Sequence, residues 1–132
     1  MIDLFRSKEE RFFFSMSSAI PSLIPELEGM EVVTVAYEPF VLRLAGVTYT
    51  PDFLIWMDGP KGYLSVLFEV KGSKKQKGYR ETRIRLSEST SLYPMFVFIE
   101  AIVDAKSQGF ASFEILSSLP FPYSFRIPTK KR

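Results

Sequence analysis

Cysteine and histidine are both missing from the 132-residue chain, and each absence closes off chemistry. Without cysteine there is no disulfide framework and no thiolate nucleophile. Without histidine there is no Ser-His-Asp triad and no imidazole general base, and with both gone the zinc-finger and zinc-protease ligand sets go too. An excess of either charge is lacking as well: 17 Lys+Arg stand against 15 Asp+Glu, a formal net charge of +2. Affinity for a polyanion must therefore come from local clustering rather than from the total. No apolar run approaches the roughly 18–20 residues of a spanning helix, and residues 1–8 mix charged and apolar side chains, unlike a secretory leader. The expectation is a soluble, cytoplasmic protein with no membrane partner. Carboxylates, Lys, Arg, hydroxyls and an oxygen-loving metal are what remain for catalysis.

What is present suffices for a folded core. Hydrophobic residues make up 46% of the chain, and the length fits one domain. No repeat or low-complexity linker divides it, so residues 1–132 are expected to form a single domain, with 120–132 a partly mobile tail ending in Lys130, Lys131 and Arg132. The first element reads as a helix over residues 7–19, ended by Pro21. Ser7 suits its N-cap and Glu10 completes a capping box, while Phe5, Phe12, Met16 and Ile20 form its apolar stripe. Strand-like runs follow at 31–37, at 40–44 as a hairpin partner, and at 47–57. Asp58, Gly59, Pro60, Lys61 and Gly62 read as a turn. Residues 63–71 alternate strictly, with Leu64, Val66, Phe68 and Val70 on one face and Ser65, Leu67, Glu69 and Lys71 on the other. A basic, weakly helical segment over 77–92 leads to an apolar strand at 95–103, with 110–116 pairing back onto it. The pattern predicts an α/β or mixed α+β fold with a mixed sheet.

The chemistry-bearing residues are Pro51-Asp52 and, seventeen residues after Asp52, Glu69-Val70-Lys71. If the two segments are neighbouring strands joined by the turn, Asp52 lies near Glu69. Glu69 and Lys71, two apart, share a strand face. Pro51 cannot donate to the ladder, which suits a bulge or a strand beginning that re-aims Asp52. Two adjacent carboxylates repel unless a cation intervenes, and their hard oxygens select Mg²⁺, with Mn²⁺ as a substitute. Such an ion acidifies water and stabilises charge growing on a phosphoryl group. The bland alternative is a strand-ending Asp52 beside a solvated Glu69–Lys71 pair.

These residues, in this order, resemble the PD-(D/E)XK metal-dependent nuclease superfamily. They are most similar to the phage endonuclease I type of Holliday-junction resolvase. Phe5-Arg6-Ser7 with Glu10 resembles that family's helical Ser-x-x-Glu motif. Tyr49-Thr50-Pro51-Asp52-Phe53-Leu54 and Glu69-Val70-Lys71-Gly72 resemble its central strands, and Tyr93-Pro94 with Phe96-Val97-Phe98-Ile99 its later strand. The resemblance implies a restriction-endonuclease-like domain, a central mixed sheet flanked by helices. It further implies Asp52, Glu69 and Val70 as metal ligands, Lys71 as the catalytic lysine and Glu10 as a further catalytic and metal-binding acid. Stripe periodicity favours Glu9 over Glu10, and Glu10 as a cap is the bland reading; the motif favours Glu10, with Glu9 kept as the alternative.

Lys74, Lys75, Lys77, Arg80, Arg83 and Arg85 follow Lys71 with only Glu81 opposing, a run suited to a phosphate backbone. The bland reading is a solvated basic loop with a Glu81–Arg85 helical pair. The expected function is a Mg²⁺-dependent endonuclease that cleaves branched DNA through Mg²⁺-activated water. A homodimer is expected, so that two sites place paired cuts. The family likeness implies a phage-encoded protein in a bacterial host. Two alternatives stand beside it: a sequence- or end-directed nuclease of the phage or transposase kind, and a non-catalytic DNA-binding module.

Overall fold

The computed structural model of the protein describes residues 4–60, 62–104 and 106–117. The expected tail at 120–132 lies outside the described residues. Helix α1 (Lys8–Ser15) starts where Ser7 Oγ accepts the Glu10 N–H at 3.1 Å, as the capping pattern requires. The chain then tightens into a 3-10 turn (Ser17–Ala19) and a one-turn helix α2 (Ile20–Leu23). The expected continuous helix over 7–19 is thus broken, and Pro21 sits in the first turn of α2 rather than ending a helix. Serine hydroxyls are the cause: Ser15 Oγ donates to the Phe12 carbonyl at 2.6 Å and Ser17 Oγ to that of Phe14 at 2.8 Å. Such bonds compete with the helical ladder. The buried line is also rotated from the expected stripe. It runs Glu10, Phe13, Ser17 and Ile20, with Phe5, Phe12 and Met16 half-buried at its edges.

The remaining described residues form β1 (Glu31–Tyr37), β2 (Leu42–Arg43), β3 (Thr48–Tyr49), β4 (Phe53–Gly59), β5 (Gly62–Lys71), α3 (Tyr79–Leu92), β6 (Val97–Asp104) and β7 (Gly109–Ile115). Five strands make one mixed sheet in the order β1-β4-β5-β6-β7, flanked by helices; the fold is mixed α/β, as expected. All neighbours are antiparallel except β5 and β6, which run parallel because α3 carries the chain across between them. The hairpin expected between 31–37 and 40–44 does not form. β1 pairs with β4, and β2 pairs instead with β3 in a separate two-stranded ribbon. Glu38, at φ 46°, turns the chain away from β1 so that Leu42, Leu44 and Tyr49 bury on the opposite side of the sheet. Asp58 and Gly59, read as part of a turn, belong to β4, and Gly59 lies opposite Gly62.

The alternation of β5 divides the interior into two layers. Leu64, Val66, Phe68 and Val70 pack with Phe13, Ile20 and Ile24 beneath the first helices. Leu67 points the other way, to Leu86 of α3, Phe98 and the ribbon residues Leu42, Leu44 and Tyr49. Phe13 is the helical anchor of the first layer, fully buried with ring centroids 4.8 Å from Phe53 and 4.9 Å from Phe68. Phe13→Ala should therefore lower stability by about 4 kcal/mol, the cost of a cavity the size of a phenyl ring. Urea or thermal unfolding should show a clearly smaller loss for half-buried Phe12→Ala. Equal losses would place the stripe where periodicity put it.

A candidate metal and phosphate site at the end of the central strands

The β4–β5 register pairs Phe53 with Phe68 and, continued one step, sets Asp52 opposite Glu69. The ladder still reaches Asp52, whose N–H donates to the Phe68 carbonyl at 3.1 Å. Pro51 then ends the pairing, having no N–H to give. The Val70 N–H, deprived of a main-chain partner on that side, donates to Asp52 Oδ2 at 2.7 Å. Because N–H and C=O of one strand residue point the same way, the Val70 carbonyl also faces Pro51. Lys71 extends along the same face as Glu69, its Nζ 3.3 Å from Glu69 Oε2 and 3.5 Å from Thr82 Oγ1 of α3. Tyr49 donates its hydroxyl to Glu69 Oε1 at 2.6 Å. Asp52, Glu69 and Lys71 therefore converge, with the Val70 main chain beside them.

Electrostatically the cluster is short of positive charge. Burial raises Asp52 well above the ordinary carboxylate value, and repulsion from Glu69 raises it further; the Val70 N–H and Lys71 oppose this. Glu69 is raised too, chiefly by burial, against the lowering effect of Tyr49 and Lys71. The Tyr49 phenol is pushed well up by burial and by the charge of Glu69, so it stays a donor. An all-oxygen donor pair with excess negative charge fits a hard divalent cation. Among the described residues no three acidic side chains close on one point, so the protein would contribute two carboxylates and the Val70 carbonyl, with water completing the shell.

The two α1 acids are placed differently. Glu10 is the buried one, its Oε1 accepting the Arg6 N–H at 3.0 Å and the Tyr37 hydroxyl at 2.8 Å. It thus holds the residue before the N-cap rather than the Ser7 N–H of a full capping box, on the sheet face away from Glu69, although its charge still contributes to raising Asp52. The Tyr37 phenol, half-buried and facing Glu10, is pushed up to about 12 by desolvation and by its bond to Glu10. Glu9 is half-buried at the end of β5, where a Cβ on Gly72 would stand 3.0 Å from its Oε2; glycine leaves that space for it.

The basic run separates into two groups. Lys74, Lys75, Lys77, Arg80 and Arg85 are exposed, the first three on the loop that leaves β5 immediately after the site. Lys74, Arg80, Gln76 and Ile84 line an open groove of about 500 Å³. Arg83 turns inward, its guanidinium 3.1 Å from Glu100 Oε1 and 2.6 Å from Glu114 Oε2, while the Tyr79 hydroxyl donates to Glu100 at 3.0 Å. Glu114 holds the guanidinium firmly charged, and Arg83 in turn lowers the Glu114 carboxyl. Register puts Glu100 beside Glu69 and Glu114 beside Glu100, so with Asp52 four carboxylates lie in one row across the sheet. Thr82, Tyr79, Glu100 and Glu114 were not singled out in the sequence, and Tyr49 entered only as part of the motif around Asp52, with no role of its own. Glu100 had a readable signal, as the one charge between the apolar runs 97–99 and 101–103.

No family model, no curated protein and no solved structure matches the chain. No helix among the described residues is long and apolar enough to cross a membrane.

The raised carboxyls have a thermodynamic consequence. An acid whose folded value exceeds its unfolded value contributes most below the unfolded value, and that contribution is lost as pH rises through the folded one. Asp52→Asn keeps an acceptor for Val70 and removes one buried charge. In metal-free protein it should be more stable than wild type by about 1 kcal/mol at pH 7, an advantage that shrinks toward pH 4. Urea unfolding across that range measures the difference; a less stable variant at pH 7 would contradict the assignment.

Proposed function

We propose that the protein is a Mg²⁺-dependent DNA endonuclease of the PD-(D/E)XK type, acting inside the cell on branched DNA as a homodimer. The observation that carries the reading is the apposition of Asp52 and Glu69 at the end of two paired strands, with Lys71 3.3 Å from Glu69 and exposed Lys74, Lys75 and Lys77 just beyond. Asp52, Glu69 and the Val70 carbonyl would hold the cation. Bound there, it supplies Lewis acidity toward a phosphodiester and acidifies nearby water. Lys71 has three donors. Two are directed at Glu69 and Thr82, and the third is available to a phosphate oxygen, where it offsets the charge that grows during cleavage. The exposed lysines and Arg80 grip the flanking backbone without reading sequence, which suits recognition by shape. Arg83 is tied to Glu100 and Glu114 and has no part in that grip. Glu10 acts on the site from a distance through its charge.

The test is cleavage of labelled four-way junction, flap and linear duplex with Mg²⁺ or Mn²⁺. Wild type should cut the junction in preference to duplex, and Lys71→Ala should be at least about 100-fold slower, the usual loss when one transition-state donor is removed. Equal cutting of all three substrates would favour the sequence- or end-directed alternative. No cleavage of any DNA with either ion would overturn the nuclease reading.

A further inference from the structure

Tyr49 reaches Glu69 by an unusual route. It lies on β3, in the two-stranded ribbon that is not part of the main sheet, and this ribbon folds over the face carrying Glu69. Its ring is 5% exposed and packs with Leu42, Leu44, Leu67, Leu86 and Phe98. Phenylalanine would fill that space equally well, so the hydroxyl calls for its own explanation. It makes a 2.6 Å bond to Glu69 Oε1, in the short range of hydrogen bonds to a charged acceptor. Asp52 is treated in parallel: its Oδ2 takes the Val70 N–H at 2.7 Å. Each carboxylate thus has one oxygen pinned by a donor from outside the pair. The terminal torsion of a glutamate is soft, and without Tyr49 only Lys71, 3.3 Å from Oε2, would hold the Glu69 carboxylate.

We propose that Tyr49 is a positioning residue for the cation site: its hydroxyl fixes the plane of the Glu69 carboxylate so that Oε2 is presented, with Asp52, to a divalent ion. The inference rests on the metal-dependent reading given above. Groups that orient a ligand in this way are typically worth 10–100-fold in metal affinity or activity. Tyr49 touches no reacting atom, so it should affect the rate per bound substrate rather than the grip on DNA.

The experiment compares wild type with Tyr49→Phe. It uses Mn²⁺ titration by calorimetry, thermal unfolding of the metal-free proteins, and kcat and KM on a four-way junction. Tyr49→Phe should remain folded, bind Mn²⁺ about 10-fold more weakly or worse, and lose a similar factor in kcat at unchanged KM. Wild-type Mn²⁺ affinity in Tyr49→Phe would overturn the inference, as would a loss of thermal stability with affinity per folded molecule unchanged. Should Tyr49→Phe not fold, the Tyr49 hydroxyl proton of wild type decides. Its NMR signal should move on Mg²⁺ addition, and a signal that stays put overturns the inference. Wild type that binds Mn²⁺ but cuts no DNA removes the nuclease reading alone and leaves Tyr49 judged by affinity. Wild type that binds neither ion overturns both.

Discussion

Two carboxylates are forced together out of water at the end of β4 and β5, and the rest of the molecule is arranged around that cost. The force comes from apolar pairing. Phe53–Phe68, Leu54–Leu67 and Ile55–Val66 lie opposite one another, and their side chains are wholly or largely buried in the two layers. Each such burial is worth about 1.5–3 kcal/mol, so the six side chains together offset the several kcal/mol per ion that desolvating the two acids costs. A slip of one residue would turn Glu69 into the phenylalanine layer and Phe68 out of it, so the hydrophobic pattern holds the register firmly. Asp52 and Glu69 inherit their positions from their apolar neighbours.

Partial compensation for the buried charge arrives from three directions. The interrupted ladder at Pro51 turns a main-chain donor, the Val70 N–H, onto Asp52. The β2–β3 ribbon brings Tyr49 to Glu69, and α3 brings Thr82 to Lys71. One residue further along α3, Arg83 bridges Glu100 and Glu114 in the same row of the sheet. Each half of the row sets two acids against one cation, but Glu114 is exposed and lowered by Arg83, whereas Asp52 and Glu69 are both raised by burial, so the shortfall of positive charge falls on that pair. That imbalance, more than the identity of any one residue, is the argument for a cation there, and it agrees with the general cost of poised functional sites in stability.

The convergence of Asp52, Glu69 and Lys71 was legible because strand geometry has a period of two and an antiparallel neighbour fixes which residues face each other. The mixed sheet was legible for a similar reason, from the strictly alternating β5 and the apolar β6. The first helix was misjudged because Ser15 and Ser17 bond to main-chain carbonyls, a local competition that apolar periodicity does not register. The same rotation separates the two acids: Glu10 lies on the buried line with Phe13, and Glu9 stands beside Gly72. Tyr49 was hidden because its role depends on a ribbon closing over the far face. Arg83 was grouped with the exposed cations because its partners lie 17 and 31 residues further along the chain. No local pattern announces pairings at such separations.

The central claim is that the Asp52–Glu69 pair is completed by a divalent cation. Anomalous diffraction from a Mn²⁺-soaked crystal tests it most directly. The account predicts an anomalous peak within coordination distance of one oxygen from each carboxylate, close to the Val70 carbonyl. A map with no density there at saturating Mn²⁺, and the lysine ammonium as the sole counter-charge, would contradict it.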